Sequence, residues 1–483
     1  MDIAKRNNLL VCLFSGFFLF LLTYFLSEEK YFIFVIPIVL SIIVISTFGL
    51  KYLFYIIVAL TPLSISLSDL GFTFLYIEMA FPTEPLLFGC MILTLFTISY
   101  HTDLFKSILQ HRITFFLFIY LSWMFITCIT SSIPLVSFKL WLSRCWYIVP
   151  VFFMGSLLFQ KKHRISYFIM LYLIPLTIVV IYTSLRHAGY GFDKESAHYM
   201  MSPFFNDHTS YGAMIAFFLP LSIAFFWVKK NNFLLKCCSL IVIIVLIIGL
   251  ILSFTRAAWI SLFISSIIGL FLYFKVNKTV LLMTPICILL AVFLFQNTII
   301  NTLESNRQDS SDNLIEHITS ISNISTDASN MERINRWKCA LKMFIEKPFF
   351  GWGPGTYQFE YARFQLSQDR TIISSNMGDM GNAHSEYLGA LSESGIFGLV
   401  SFLLLISISI LYAINMYYTS HDSSTNTWLL AIIIALLSYF IHGLFNNFLD
   451  TDKASIAVWG SFAIIVGLDC LKNEKQSHST VIS

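Results

Sequence analysis

The sequence predicts an all-α polytopic membrane protein with about 12–14 transmembrane helices and one large polar loop. Of its 483 residues, 57% are hydrophobic. Only 12% are charged, against roughly 25% in soluble domains. Apolar runs of about 20 residues, long enough to cross a hydrocarbon core of about 30 Å, recur along almost the whole chain. This composition excludes a water-soluble fold.

Apolar runs between charged breaks define fourteen predicted spans. They lie near residues 9–27, 31–49, 52–67, 84–100, 113–130, 141–159, 165–184, 209–228, 235–253, 257–274, 279–297, 395–417, 427–446 and 454–471. The third is short and contains Pro62, and the sixth contains Arg144 and Pro150, so without these two the count is twelve. The first has no small-residue cleavage site after it, which predicts a retained helix and not a signal peptide.

Basic residues indicate the orientation of the chain, because loops rich in Lys and Arg stay cytoplasmic. The formal net charge is +3, but the cations are scattered in short clusters between spans, which does not favour nucleic-acid binding. With a cytoplasmic N-terminus, nearly every cluster falls on one side: Lys5 and Arg6, Lys51, Lys106 and Arg112, Lys161, Lys162 and Arg164, Lys229, Lys230 and Lys236, Lys275 and Lys278, Lys472 and Lys475. Both termini are therefore predicted to be cytoplasmic.

The chain divides into three predicted regions: spans 1–11 in residues 1–297, a large outer loop in 298–394, and the last spans with a short cytoplasmic tail in 395–483. Loops as long as the second region are usually functional or disordered. Its first part, 301–330, is rich in Ser, Asn and Asp and is expected to be mobile. Its second part, from residue 331, has helical periodicity and is expected to be ordered. Of the nine cysteines only Cys339 lies in this loop, and no C-x-x-C spacing occurs, so neither a disulfide framework nor a metal site is predicted.

The first candidate motif is MERINRWKCALKMFIEK, from residue 331. On a helical wheel Arg333 falls in the middle of an apolar stripe, and Arg336 lies off its edge. The stripe consists of Trp337, Ala340, Leu341 and Phe344. A buried arginine needs a partner because it cannot shed its charge, so Arg333 is the stronger functional candidate. In the structural alternative it pairs with a carboxylate such as Asp379 or Glu360 and only holds the helix in place.

The second motif, PFFGWGPGTY, places Gly351, Gly353 and Gly355 after Pro348. Such a turn can bring backbone amides close to a phosphate. It does not follow a strand, and the dinucleotide and P-loop patterns are absent, so a plain structural turn is the favoured alternative.

The third motif is NAHSEYLGALSESGIFG, from residue 382. Asn382 is predicted to cap a helix that runs into the membrane. His384, Tyr387, Leu388 and Leu391 share one face of this helix, which puts the histidine at the water interface. There His384 either removes a proton from an acceptor hydroxyl or packs as an interfacial core histidine.

Arg256 interrupts two apolar runs at the outer face, which marks it as a functional candidate, with snorkelling to lipid headgroups as the alternative. Arg186 and His208, the latter beside Asn206 and Asp207, are outward-facing residues with a weaker claim. His442 is a further neighbour from another span, for which helix packing is the favoured role. These complete the candidate site residues.

The motifs together resemble the O-antigen ligase superfamily, over roughly residues 206–471. His384-Ser385 followed by Gly395 and Gly398 resembles the family's histidine and double-glycine motif, and the arginine, tryptophan and glycine pattern before it is also similar. Leu399 departs from the pattern, since ligases often have Thr there. That departure and the high span count weaken a specific assignment as ligase relative to polymerase.

The resemblance implies a GT-C-like glycosyltransferase architecture in the bacterial inner membrane. It implies transfer of a glycan from undecaprenyl diphosphate to an acceptor sugar on the periplasmic side, without metal, nucleotide or other cofactor. It makes His384, Arg333 and Arg256 catalytic, and Arg336, Arg186, Gly353, Gly355 and Tyr387 are expected to bind substrate. The leading expectation is O-antigen ligation to the lipid A core oligosaccharide, and the alternative is polymerisation of lipid-linked repeat units.

Two rival functions belong to other classes. A transporter of lipid-linked sugars would show repeats in its two halves and polar residues near mid-membrane, neither of which the sequence shows. A non-enzymatic scaffold would use the loop only to bind a partner. Replacement of His384 distinguishes the scaffold from an enzyme.

Overall fold

The computed structural model describes residues 49–69, 79–228, 233–277, 328–367 and 381–482. Three predicted spans, 9–27, 31–49 (apart from its last residue) and 279–297, lie outside these residues. So do residues 301–327 of the segment expected to be mobile. The chain forms two compact units, Met1–Ile56 and Ile57–Ser483. Only residues 49–56 of the first unit are described, and everything below concerns the second.

Ten helical segments in the described residues are long and apolar enough to cross a membrane. They are α2 (Thr83–Tyr100), α4 (Arg112–Ile129), the segment Pro134–Phe159, α7 (His163–Ala188), α8 (His208–Val228), α9 (Phe233–Leu252), α10 (Arg256–Tyr273), α13 (Glu386–Thr419), α14 (Ser423–His442) and the segment Asp452–Asn473 of α15 (Asp452–Ile482). The predicted all-α polytopic fold is thus confirmed. The segment Pro134–Phe159 consists of α5 (Pro134–Ile148), a π-helical stretch around Pro150 (Val149–Met154) and α6 (Gly155–Phe159). The segment predicted as a short cytoplasmic tail continues α15 as a helix.

The predicted span 52–67 is wrong. Helix α1 (Leu50–Leu60) has only 11 residues and continues as a 3₁₀ turn, Thr61–Leu63, that contains Pro62. A proline lacks the amide that an α-helix needs, which explains the change. Strand β1 (Ile65–Ser66) follows and pairs antiparallel with β2 (Ala80–Phe81).

The described residues contain three further helices, α3 (Thr102–Leu109), α11 (Ala328–Glu346) and α12 (Tyr357–Glu360), and two further 3₁₀ turns, Ser196–His198 and Tyr361–Phe364. Helix α11 begins inside the segment expected to be mobile. It ends at Glu346, because Pro348 disfavours helical backbone at Lys347, the residue that precedes the proline.

The bundle has a buried centre and a lipid-exposed side. Within the membrane segment of α15, 89% of the residues are buried, against 22% in α9. Helix α15 therefore lies in the middle of the bundle. Helix α9 presents most of its apolar surface outward, as a bilayer requires of a peripheral span.

Polar contacts link the basic loops at one end of the bundle. Lys162 Nζ lies 2.6 Å from the Asp422 carboxylate, and Lys472 Nζ donates to Thr419 Oγ1 at 3.1 Å. Hydrogen bonds donated by Lys162 and Thr425 lower the pKa of the Asp422 carboxyl to about 2. Two of the basic clusters that the sequence assigned to one side, those with Lys162 and Lys472, thus both contact the connection between α13 and α14. Helix α11 and the glycine turn pack at the opposite end.

Helix α13 contains a break that divides it into an outer and a membrane part. Gly395 has φ +68° and ψ −169° inside an otherwise continuous helix. The predicted span 395–417 corresponds to the part after the break. The helix begins nine residues earlier, at Glu386, and these nine residues belong to the region predicted as the outer loop.

Candidate functional site

Helix α11 packs on the aromatic residues of its own loop. Cys339, Ala340 and Met343 are fully buried in a cluster with Trp352, Tyr357, Tyr361 and Ala383. Trp352 Nε1 donates to the Met343 carbonyl at 3.0 Å, and Tyr357 Oη donates to the Arg336 carbonyl at 2.8 Å. The ordered second half of the loop is thus a small packed layer above the membrane helices.

The buried face of α11 differs from the predicted stripe. Leu341, placed in the stripe, is 44% exposed, whereas Glu332 and Asn335 are buried. Arg336, placed off the edge, is mostly buried and its Nε lies 2.9 Å from the Glu332 carboxylate. An ion pair at i and i+4 permits an arginine on a buried face, and a count of apolar residues does not detect it.

Arg336 joins α11 to the segment that carries His384. Its Nη1 donates to the Asn382 carbonyl at 3.2 Å, and its guanidinium lies over the Tyr361 ring at 5.4 Å. A Cβ on Gly381 would come within 2.1 Å of the same Nη1. Arg336 therefore fixes helix α11 to residues 381–384, called here the histidine segment.

His384 is held in an unusual backbone conformation. Its φ of +46° lies in the left-handed region, which is uncommon for residues other than glycine. Its amide donates to Asn382 Oδ1 at 3.0 Å, and its carbonyl accepts from Trp337 Nε1 at 3.3 Å. The predicted cap by Asn382 is wrong: the N-cap of α13 is Ser385, whose Oγ accepts from the Leu388 amide. Asn382 instead shapes the turn that presents His384.

The pKa of His384 is lowered from 6.5 to about 4. Burial is the largest cause, followed by the positive charges of Arg336 and Arg333; Asp207 and Glu332 act in the opposite direction. At neutral pH the imidazole is therefore uncharged. A neutral imidazole can accept a proton, which is the state that a general base requires.

Arg333 lies within electrostatic reach of three histidines that come from different parts of the chain: His384, His208 and His442. Glu360, one of the carboxylates considered as its partner, forms an ion pair with Arg363 at 3.0 Å. The other, Asp379, lies outside the described residues. Arg333 thus stands where the loop meets helices α8 and α14.

Arg256 is the first residue of α10 and lies at the same end. Thr255, which precedes it, donates from Oγ1 to the His208 carbonyl at 2.8 Å. His208 begins α8, and its ring centroid is 4.1 Å from that of His198. The residue before Arg256 thus contacts the start of α8, and Arg333 lies within electrostatic reach of His208 at that same helix start.

The other predicted substrate contacts have intramolecular partners. Arg186 Nη1 donates to the carbonyls of Met200 and Ser202 and to Tyr182 Oη. Tyr387 Oη donates to the Phe440 carbonyl at 2.7 Å. Both side chains therefore tie their helices to neighbouring segments.

The glycine turn docks on the break in α13. The amides of Trp352 and Gly353 donate to the carbonyls of Ser392 and Glu393, at 3.1 and 2.8 Å. The Glu393 carboxylate accepts from the Tyr357 amide at 3.1 Å. A Cβ on Gly353 would meet Ser131 Oγ at 2.0 Å, so the turn also packs closely on the α4–α5 connection. Gly355, by contrast, lines the cavity described next.

A cavity of about 510 Å³ opens beside the histidine segment. Its lining includes Asn382, Ala383, the carboxylates of Glu84, Asp207, Glu393, Asp450 and Asp452, the Lys453 ammonium, and the aromatic rings of Phe204, Phe205, Tyr357 and Phe448. A smaller cavity of about 60 Å³ adjoins it and shares Glu393, Asn447 and Asp450. Ligand pockets typically have volumes of about 300–1,000 Å³, a range that includes the larger cavity.

Buried polar residues that sequence reasoning passed over support this end of the bundle. Glu386 accepts from Tyr439 Oη at 2.7 Å and from the amides of Phe448 and Leu449 at 2.8 and 2.9 Å. Arg144 pairs with Asp450 at 2.7 Å. Arg144 lies inside the predicted span 141–159, and a charged residue in such a position was the available signal. Among the described residues, His, Cys, Asp and Glu side chains form no group of three or more that could hold a metal ion.

Comparison with known proteins identifies the central part of the chain. Residues 241–403 match the family model described as O-antigen ligase. The resemblance predicted from the motifs is thereby confirmed. The matched range contains Arg256, Arg333 and His384, together with the glycine turn. No curated protein matches the sequence.

Proposed function

We propose that this chain, a multi-pass membrane protein of the O-antigen ligase superfamily, transfers a polysaccharide from undecaprenyl diphosphate to the lipid A core oligosaccharide at the periplasmic face of the bacterial inner membrane. The observation that carries the proposal is an uncharged imidazole held beside two arginines. His384 has a pKa of about 4, lowered by burial and by Arg336 and Arg333. The site lies at the end of the bundle opposite the basic loops.

The reaction is one glycosyl transfer. The acceptor hydroxyl oxygen attacks the anomeric carbon of the donor sugar, and the bond from that carbon to the diphosphate oxygen breaks. The hydroxyl proton passes to His384, and the electron pair of the broken bond stays on undecaprenyl diphosphate. In-line attack inverts the anomeric configuration. General base catalysis by a positioned histidine contributes about 10²–10⁴-fold in rate.

Negative charge develops on the diphosphate as the bond breaks. Arginines stabilise such charge by bidentate hydrogen bonds, and they do so most effectively where water is excluded. Arg333 and Arg256 are assigned this role. Their support is the electrostatic reach of Arg333 to His384 and His208, and the contact of Thr255 with His208.

Arg336 has a different role in this scheme. It positions the histidine segment through Asn382 and keeps the imidazole uncharged. It does not need to touch the donor. The side chains of Arg186 and Tyr387 donate hydrogen bonds to neighbouring segments. These contacts fit a structural role as well as a role in substrate binding.

The alternative function is polymerisation, in which the acceptor is a second lipid-linked repeat unit. The bond-forming chemistry is the same, and Leu399 in place of the threonine common in ligases favours this alternative. A gel of surface lipopolysaccharide from a deletion strain separates the two. A ligase defect leaves the lipid A core without polymer while polymer remains on the lipid carrier, and a polymerase defect leaves single-repeat caps.

The catalytic assignment is tested with His384→Ala and Arg333→Ala, complementing the deletion strain. Each variant is expected to lose surface polymer, with transfer reduced by about 10²-fold or more. Lys338→Ala, at an exposed position on the same helix, is the control and keeps normal display. Full-length polymer at the surface with either folded, normally expressed variant would refute the assignment and favour a scaffold.

A further inference from the structure

The two joined cavities beside His384 contain buried polar atoms whose hydrogen bonding is incomplete. Asn447 borders both cavities, and its Oδ1 is buried without a hydrogen-bond partner among the described residues. Arg144 borders the smaller cavity and is only 8% exposed. Within the same described part of the chain, its Nε also has no partner. Buried polar atoms of this kind are costly unless a ligand or water completes them.

These two atoms form a complementary pair. Arginine Nε donates a hydrogen bond and asparagine Oδ1 accepts one. A hydroxyl group can do both, and both residues line the smaller cavity. The volume of about 60 Å³ is sufficient for a hydroxyl or hydroxymethyl group but not for a sugar ring. The ring itself then lies in the larger cavity.

The larger cavity has the lining that a sugar ring requires. The C–H faces of a pyranose are apolar and its edge carries hydroxyls, so rings and carboxylates are needed together. Phe205, Tyr357 and Phe448 supply apolar surface, and Asp450 and Glu393 supply acceptors. A partly aromatic surface that carries a small number of polar groups is typical of small-molecule sites.

The cations of the two cavities are already paired. Lys453 Nζ donates to Ser64 Oγ at 2.6 Å and lies 3.5 Å from the Asp452 carboxylate. Arg144 Nη2 lies 2.7 Å from Asp450, and Nη1 donates to the Leu449 carbonyl at 2.8 Å. An added phosphate would face several carboxylates with no further cation in the lining to compensate it. The cavity therefore suits an uncharged or amino sugar and rejects an anionic one.

The position of His384 relates the cavities to the reaction. Asn382 and Ala383 line the larger cavity, and Ser385 lines the smaller one. His384 lies between these residues in the chain and is not itself among the residues that line either cavity. The cavities therefore adjoin the backbone of the segment that carries the proposed base.

We infer that these cavities are the acceptor subsite, that they take the terminal sugar of the acceptor glycan in uncharged or amino form, and that Arg144 and Asn447 bind one of its hydroxyls. The inference rests on the proposed function, which it deepens by separating the acceptor from the donor diphosphate. Arg144 and Asn447 thus determine acceptor specificity, and Arg333 and Arg256 serve the donor.

The test uses the full chain in lipid nanodiscs, with an undecaprenyl-diphosphate oligosaccharide as donor. Three acceptor oligosaccharides are compared, which end in a neutral hexose, a hexosamine with a free amine, or a phosphorylated hexose. Asn447→Ala is expected to raise the KM for the neutral acceptor about tenfold, as expected for one or two lost hydrogen bonds, and to leave the donor KM unchanged. The matched control is Asn473→Ala, at the exposed opposite end of the bundle. Wild-type protein is expected to use the phosphorylated acceptor at least about tenfold less efficiently than the neutral one.

Two results would overturn the inference: an acceptor KM for Asn447→Ala within twofold of wild type, or equal use of phosphorylated and neutral acceptors. If Asn447→Ala does not fold, Ser66→Phe fills the larger cavity from strand β1 and must raise the same KM. Calorimetry of acceptor binding without donor keeps the two proposals distinct. Binding that Asn447→Ala weakens, with no transfer from any lipid-linked donor, sustains the sugar site and refutes the proposed reaction.

Discussion

At the scale of single residues, the site depends on how one histidine is kept uncharged. The sequence contains 11 histidines, and position alone does not distinguish a base from a core residue. His384 is distinguished by its left-handed backbone, by the two side chains that hold its amide and carbonyl, and by Arg336 nearby. Arg333 acts on His208 and His442 as well. These features favour the catalytic alternative over a satisfied core histidine.

The lowered pKa of His384 predicts the pH dependence of transfer. An imidazole with a pKa of about 4 is uncharged above that pH, so kcat/KM should be level between about pH 5 and 8 and should fall as the pH drops through about 4. Arg336→Gln removes one of the charges that lower this pKa, and the acid limb should then move upward toward 6.5. The measurement is a pH–rate profile in nanodiscs.

Lys342→Gln on the same helix provides the control, since it removes a cation that does not contribute to the His384 pKa. Its acid limb should remain near the wild-type position. An Arg336→Gln profile that coincides with wild type would contradict the electrostatic role. Loss of activity without a shift of the acid limb would indicate that Arg336 contributes only by its hydrogen bond to the Asn382 carbonyl.

At the scale of elements, the break in α13 connects the loop to the membrane. Gly395 lies so close to the preceding turn that a Cβ there would be 2.1 Å from the Phe349 carbonyl oxygen. The Ile396 amide donates to the Pro348 carbonyl at 2.9 Å. At the other end of the nine residues before Gly395, the Glu386 carboxylate accepts hydrogen bonds from the amides of Phe448 and Leu449, which connect α14 to α15. The nine residues before Gly395 are therefore fixed at both ends, and His384 is fixed with them.

Gly395→Ala should destabilise the protein more than an ordinary glycine substitution in a helix. The left-handed φ costs an L-residue about 1–2 kcal/mol, and the backbone contact with Phe349 adds to this cost. Gly89→Ala, in α2, is the matched control, because a Cβ there meets nothing within 4 Å. It should be neutral or stabilise by up to about 1 kcal/mol. Thermal unfolding in detergent measures both, and equal midpoints for the two variants would contradict the strain at Gly395.

At the scale of the whole molecule, charge is separated between the two ends of the bundle. The basic loops and their partners, such as Lys162 with Asp422, lie at one end. The arginines, histidines and carboxylates of the candidate site lie at the other. The buried α15 connects the ends, with Asp452 near the cavities and Asp469 near His111. This distribution suits a protein whose reaction takes place at one membrane surface and whose basic loops lie at the opposite surface.

The predicted orientation is tested with two matched lysine replacements, Lys194→Cys and Lys161→Cys, made in a cysteine-free background. Both side chains are exposed and lie in loops at opposite ends. A membrane-impermeant maleimide added to intact spheroplasts should label position 194, whereas position 161 should react only after permeabilisation. The reverse pattern would place the candidate site in the cytoplasm and exclude a periplasmic transfer reaction.

The sequence by itself determined the fold class and nearly all membrane spans in the described residues, and it gave His384, Arg333 and Arg256 as candidate site residues. It could do so because hydrocarbon imposes a strong constraint on length and apolarity, which each span satisfies locally. It misplaced the buried face of α11 because Arg336 is buried with Glu332 as its ion-pair partner, and it assigned the cap of α13 to Asn382 instead of Ser385.

Only the tertiary structure decided which polar groups meet. Arg144, Asp207 and the segment with Asn447 and Asp450 come from three distant parts of the chain. Their hydrogen bonds, their burial and the cavities they line depend on helix packing over long sequence separations. The pKa of His384 likewise follows from burial by the surrounding structure together with the charges of Arg336 and Arg333, and a side chain's desolvation cannot be read from its own segment.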